Sequence, residues 1–103
     1  MEQDFIEFEW DPEKAIVNIR KHGVTFREAA MVFNDTLAIT YYDDAHSDYE
    51  PRFVTLGISD KGRVLVVCHT LIGEAIRLIT ARKATRHETN FYEKENKKTS
   101  RGR

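Results

Sequence analysis

Apolar and polar residues alternate in two distinct periods along this chain, and the switches between them mark out its elements. Ile6-Glu7-Phe8-Glu9-Trp10 alternates apolar and acidic side chains, the period-two pattern of a strand with one buried face. Asp11-Pro12-Glu13 then opens a helix: Asp11 accepts from free N–H groups, Pro12 suits the first turn, and Glu13 complements the dipole. Gly23 after His22 supplies a left-handed stop. Thr25-Phe26-Arg27-Glu28 reads as a capping box for a second helix, in which Phe26, Ala29, Ala30 and Phe33 fall on one face.

Four strand-like runs follow: Leu37 to Tyr42, Arg52 to Ile58, Arg63 to Thr70 and Glu74 to Arg82. Ser59-Asp60-Lys61-Gly62 and Gly73 mark tight turns, so the last three runs are predicted to form an antiparallel meander. The third run is almost wholly apolar, as in a central strand covered on both faces. Thr85-Arg86-His87-Glu88 is another capping box, opening a terminal helix whose apolar stripe is little more than Phe91 and Tyr92. The order β-α-α-β-β-β-β-α predicts an α+β fold, two helices on a mostly antiparallel sheet, with a C-terminal helix. Residues 1–95 read as a single domain and 96–103 as a disordered basic tail.

Length and composition narrow the function. A chain of 103 residues has room for one modest core, which argues against a large cofactor. No apolar run approaches the roughly 20 residues of a membrane span, and the acidic Met1-Glu2-Gln3-Asp4 start lacks a signal core, so a soluble cytoplasmic protein is expected. The single cysteine, Cys68, forms no internal disulfide and no Cys-x-x-Cys zinc pair. Net charge is −1, yet the halves differ sharply. Residues 1–51 carry 4 Lys and Arg against 12 Asp and Glu, a formal −8, while residues 52–103 carry 12 against 5, a formal +7. An anionic partner for the basic half, nucleic acid first, is one reading; mutual neutralisation across the fold is the other.

There is no G-x-G-x-x-G, P-loop or G-x-S-x-G motif. The chemistry that remains is a set of cations on strands. Arg52, Arg77 and Arg82-Lys83 stand where a guanidinium needs an anion, either RNA phosphate or a carboxylate such as Glu74 or Glu50. Strict alternation puts Arg82 with Thr80, Leu78 and Ile76, and Arg77 on the opposite face, so the two share a phosphate only if a bulge intervenes. Lys14, Asn18 and Lys21 fall on one face of the first helix, and His22 ends it as a cap. His69 reads as a core residue. Asp43, Asp44, Asp48 and Glu50 form an acidic turn without the spacing of a metal site. Tyr41, Tyr42, Tyr49 and Tyr92 can stack on bases, the first two reading rather as sheet packing.

Three segments together resemble the BrnT-type ribonuclease toxins. They are Phe8-Glu9-Trp10-Asp11-Pro12-Glu13-Lys14-Ala15 continuing through Asn18 to Lys21-His22-Gly23-Val24; Arg52-Phe53-Val54-Thr55-Leu56-Gly57; and Ile76 to Ala84 followed by Glu88 and Tyr92. The resemblance spans about Phe8 to Glu93, with Thr80 where the family often has serine. It implies a RelE-like fold and RNA cleavage without a cofactor or metal. It also implies neutralisation by a BrnA-like antitoxin and operator-DNA binding only through the antitoxin complex. By motif it implies Arg82 as the first catalytic residue, then Arg52 and Lys14. Proton transfer is left to Lys14 or Glu50, and Arg77, Lys83, Lys21, His22 and Asn18 are expected to contact RNA. The same cations also suit a non-catalytic RNA-binding or partner-binding module.

Overall fold

The structure is a computed structural model that describes residues 6–101, with side chains as far as Lys97. The acidic start at Met1–Asp4 and the end of the basic tail lie outside the described residues. The elements in order are β1 (Glu7–Glu9), α1 (Pro12–His22), α2 (Phe26–Met31) with a 3-10 turn at Val32–Asn34, β2 (Ile39–Tyr42), β3 (Phe53–Ile58), β4 (Val64–Ile72), β5 (Ala75–Lys83) and α3 (Arg86–Arg101). This is the expected α+β order. The helix α3 continues past the expected boundary at Glu95. Its Glu, Lys and Asn residues carry no Pro or Gly stop before Arg101, and Glu and Lys are good helix formers.

One sheet runs β1-β5-β4-β3-β2. The meander β2 to β5 is antiparallel, whereas β1 joins β5 in parallel, Glu7 to Glu9 lying against Ala75 to Arg77. Because β1 stops there, β5 from Leu78 onward has no strand on its outer side, and α1 packs along that edge.

The two helix starts behave differently. Asp11 caps α1 by accepting from Glu13 N–H at 2.8 Å, and Gly23 ends it at φ 68°. At α2, Thr25 accepts from Glu28 N–H at 3.0 Å, but the Glu28 carboxylate does not return to Thr25. It is buried instead, accepting from Ser59 Oγ at 2.7 Å and from Arg63 Nε at 3.0 Å, which ties α2 to the β3–β4 turn. Arg63 thereby holds the Glu28 carboxyl below the usual carboxylate range.

The core lies on two sides of the sheet. On one face Val24, Phe26, Ala29 and Val32 pack on Leu65, Val67, Leu78 and Ala81. On the other, Tyr92 of α3 covers Val54, Leu56 and Val66. Thus α1 and α2 serve one face, and α3 covers only part of the second. No helix among the described residues is long and apolar enough to cross a membrane.

Candidate nucleic-acid interface

The register of β4 and β5 contains a shift between Cys68 and His69: Cys68 faces Thr80, but His69 faces Leu78, and Ile79 is left unpaired. Such a bulge reverses the alternation of everything on one side of it. Leu78 and Ala81, three apart, both enter the α1–α2 core. Arg77, Thr80 and Arg82 therefore project from the same opposite face. Simple alternation separated Arg77 from Arg82, and the bulge corrects that expectation.

Three cross-strand rows define this face. Arg82 stands beside Val66 and Leu56; Thr80 beside Cys68, Val54 and Tyr41; Arg77 beside Thr70, with Glu9 on its other side. Arg52 immediately precedes Phe53, which pairs with His69, so it falls on the Thr70 row and on the Arg77 side of the sheet. Neighbouring strands lie about 4.8 Å apart, so two strand spacings, about 10 Å, separate Arg52 from Arg77 across β4. The α3 end of the face is covered through Tyr92; the rest is open, with Thr80 and Tyr41 exposed.

Each arginine of the face meets a carboxylate from outside the sheet's centre. Arg77 Nη1 donates to Glu9 at 2.7 Å, a partner 68 residues away in sequence rather than Glu74 or Glu50. Arg52 Nη2 reaches Glu50 at 3.5 Å, with both side chains partly exposed, and its Nε is buried without a partner. Arg82 is gripped by both oxygens of Glu88, each at 2.8 Å. Arg82 holds the Glu88 carboxyl down to about 2, with the Thr85 N–H adding to the effect. Cys68, between Val54 and Thr80 in the register, has its thiol pushed up by burial, with the charge of Arg52 opposing.

The cations of α1 border this face from the β5 edge. Lys14, Lys21 and His22 line a cleft of about 400 Å³ with Ile79 and Thr80, so Thr80 joins cleft and face. Asp11 and Glu13 share the cleft and temper its charge. Asn18 also lines it, but its polar atoms are committed. It is 4% exposed, with Nδ2 donating to Ala81 O at 2.8 Å and Val24 O at 2.9 Å, and Oδ1 accepting from Ala81 N–H at 3.0 Å. Asn18 completes the unpaired β5 edge as a strand would, so its polar atoms serve the fold. Lys83 is exposed and, paired opposite Leu65, projects from the α1–α2 side rather than from the face of Arg82.

Histidine is absent from the middle of the face. His69 is core, as expected: it is 5% exposed between Phe33 and Phe53, with Nε2 2.8 Å from Thr55 Oγ1, and burial lowers its pKa to about 4. In the acidic turn, His46 Nδ1 lies 3.0 Å from Asp43, and Asp48 and Glu50 flank an open hollow. Among the described residues, no three His, Cys, Asp or Glu side chains converge to hold a metal ion. Tyr42 packs edge-on against Phe53 on the core side, whereas Tyr41 projects onto the open face. Reading Tyr41 as packing missed this, because only the partner register distinguishes two adjacent tyrosines. Glu9 and Glu88 were missed as site partners for a different reason: Glu9 reads as a polar position of a strand and Glu88 as part of a capping box.

The assembled face carries three guanidinium groups, each paired with a carboxylate, and the exposed hydroxyl-bearing side chains of Thr80 and Tyr41. Residues 10–88 match the family model described as the ribonuclease toxin, BrnT, of type II toxin–antitoxin systems. The fold is similar to the crystal structure of the Brucella abortus ribonuclease toxin BrnT, with a TM-score of 0.63 and 22% identity, covering 80% of this chain and all of that one. No curated protein matches the chain by sequence.

Proposed function

The chain belongs to the BrnT family of ribonuclease toxins from type II toxin–antitoxin systems, and from that premise we propose that the open half of its sheet binds RNA and cleaves it without a metal or cofactor. The observation that carries the reading is the Ile79 bulge, which gathers Arg77, Thr80 and Arg82 on one exposed face within reach of Arg52.

RNA brings its own nucleophile. The 2′-OH attacks the adjacent phosphorus, the bond from phosphorus to the 5′ oxygen breaks, and a 2′,3′-cyclic phosphate and a free 5′-OH result. One proton leaves the 2′ oxygen and one reaches the departing 5′ oxygen. The arginines stabilise charge added to the phosphorane, commonly the largest single contribution in such a site. Glu50, paired loosely with Arg52, is the proposed base, and Lys14 in the adjoining cleft the proposed donor to the leaving oxygen. Lys21 and His22 extend the phosphate track along α1. In the cell, the cytoplasmic toxin would be neutralised by a cognate antitoxin of BrnA type, the complex and not the toxin binding operator DNA.

Incubation with RNA in EDTA tests the reading. Fragments ending in 2′,3′-cyclic phosphate are the expected result. Activity abolished by the chelator and restored by Mg²⁺ would contradict it, and binding without cleavage would leave a non-catalytic RNA-binding module.

A further inference from the structure

The arginine best placed for a phosphate already holds an anion of the chain itself. Nη1 and Nη2 of Arg82 donate to Oε1 and Oε2 of Glu88, both at 2.8 Å, the paired fork that guanidinium also makes with phosphate. Nη1 spends a further proton on Lys83 O at 3.3 Å. The other arginines of the face are held less completely, Arg77 by one oxygen of Glu9 and Arg52 by one distant oxygen of Glu50.

Glu88 also caps the first turn of α3. Its Oε1 accepts from Thr85 N–H at 2.8 Å while its own N–H donates to Thr85 Oγ1 at 3.1 Å, a complete capping box. The grip on Arg82 and the first turn of α3 are thus made by one carboxylate. Beyond that turn α3 is fastened mainly by Tyr92, which is buried and donates its hydroxyl proton to Asp35, whereas Phe91 is 44% exposed. Releasing the first turn leaves the Tyr92 anchor in place.

Resting on the reading of this face as the RNA site, we propose that Glu88 is an internal stand-in for RNA phosphate, and that RNA takes the end-on fork of Arg82 only when the first turn of α3 lets go. Docking of that turn and binding of the substrate compete for one guanidinium. Glu88 fills the end-on fork of Arg82, with Nη1 spending its second proton on Lys83 O; what remains is the side-on pair of Nε and Nη2, beside a carboxylate whose charge repels a phosphate. Arg82 holds the Glu88 carboxyl ionised throughout the physiological range, so the competitor is always present.

The test uses the full chain and a short oligoribonucleotide whose 2′-hydroxyls are methylated, so that it binds uncut. Glu88→Gln keeps an acceptor for Thr85 N–H and removes the charge that competes. It is expected to bind the oligonucleotide about tenfold more tightly, a gain absent when Arg82→Ala is also present. Glu93→Gln, which removes an equal charge from an exposed α3 position, is expected to have little effect. In the unmodified chain, the amides of residues 85–89 are expected to exchange faster when the oligonucleotide binds. Affinity that is unchanged or weaker in Glu88→Gln, with Arg82→Ala still weakening binding, would overturn the competition and make Glu88 a positioning residue while leaving the RNA face standing. An Arg82→Ala variant that binds as well as the unmodified chain would remove the phosphate reading of Arg82 itself.

Discussion

Asn18 acts as a strand partner for Ala81. Its side-chain amide donates to Ala81 O at 2.8 Å and accepts from Ala81 N–H at 3.0 Å, and also donates to Val24 O at 2.9 Å. Asn18→Ala leaves three buried backbone groups without those partners. It is expected to cost about 2–4 kcal/mol in denaturant unfolding. RNA affinity per folded molecule should be unchanged. A neutral effect on stability would show that water or backbone relaxation replaces the side chain.

The stability of the fold should fall in mild acid because of His69. Burial lowers its folded pKa to about 4, from an ordinary value of 6.5. Below pH 6.5 the unfolded chain takes up a proton that the folded chain refuses. This contribution is therefore fully present above pH 6.5 and lost progressively as the pH falls toward 4. The loss should approach about 3 kcal/mol at most. Chemical denaturation at a series of pH values checks this, with His69→Gln expected to flatten the slope in that window.

Gly57 has no room for a side chain. A Cβ there would meet Val32 Cγ1 at 2.8 Å and Ala38 Cβ at 3.1 Å, where β3 passes the 3-10 turn. Gly57→Ala should destabilise the protein by about 1–3 kcal/mol in thermal or denaturant unfolding. An unaffected midpoint would mean that the 3-10 turn shifts freely.

The helix α3 should be the least protected element. Only Tyr92 of its apolar residues is buried, and a helix with little packing is marginal in water. Amides of residues 86–95 should exchange faster than those of Val64–Thr70 in the free toxin, and their protection should change when the antitoxin binds. Equal protection in both states would make α3 part of the core.

Local rules made most elements legible. Asp11-Pro12, Gly23, Gly62, Gly73 and the Thr85–Glu88 box each act within a few residues, and each sits where its chemistry requires. The site was less legible because its decisive features are long-range. Arg77 joins Arg82 through a bulge at Ile79 that no local signal marks. Glu9 finds Arg77 only because β1 lies parallel to β5. Asn18, spaced four residues from Lys14, reads as part of a polar face until the bare edge at Ala81 shows what it pairs with. Glu28 likewise completes a capping box on paper, but Arg63 and Ser59 offer its carboxylate a stronger set of partners.

The most direct measurement of the central claim is the cleavage rate of a defined short RNA in EDTA by folded Arg77→Ala, set against folded Arg27→Ala. Arg77 stands on the open face only because of the bulge, whereas Arg27 is an exposed cation on α2, packed on the other side of the sheet. Arg77→Ala should slow cleavage about 10²-fold, in the range seen when one preorganised charge-stabilising group is lost. Arg27→Ala should cleave at the unmodified rate. Equal rates for the two variants, or a larger loss at Arg27, would place the RNA elsewhere and contradict the account.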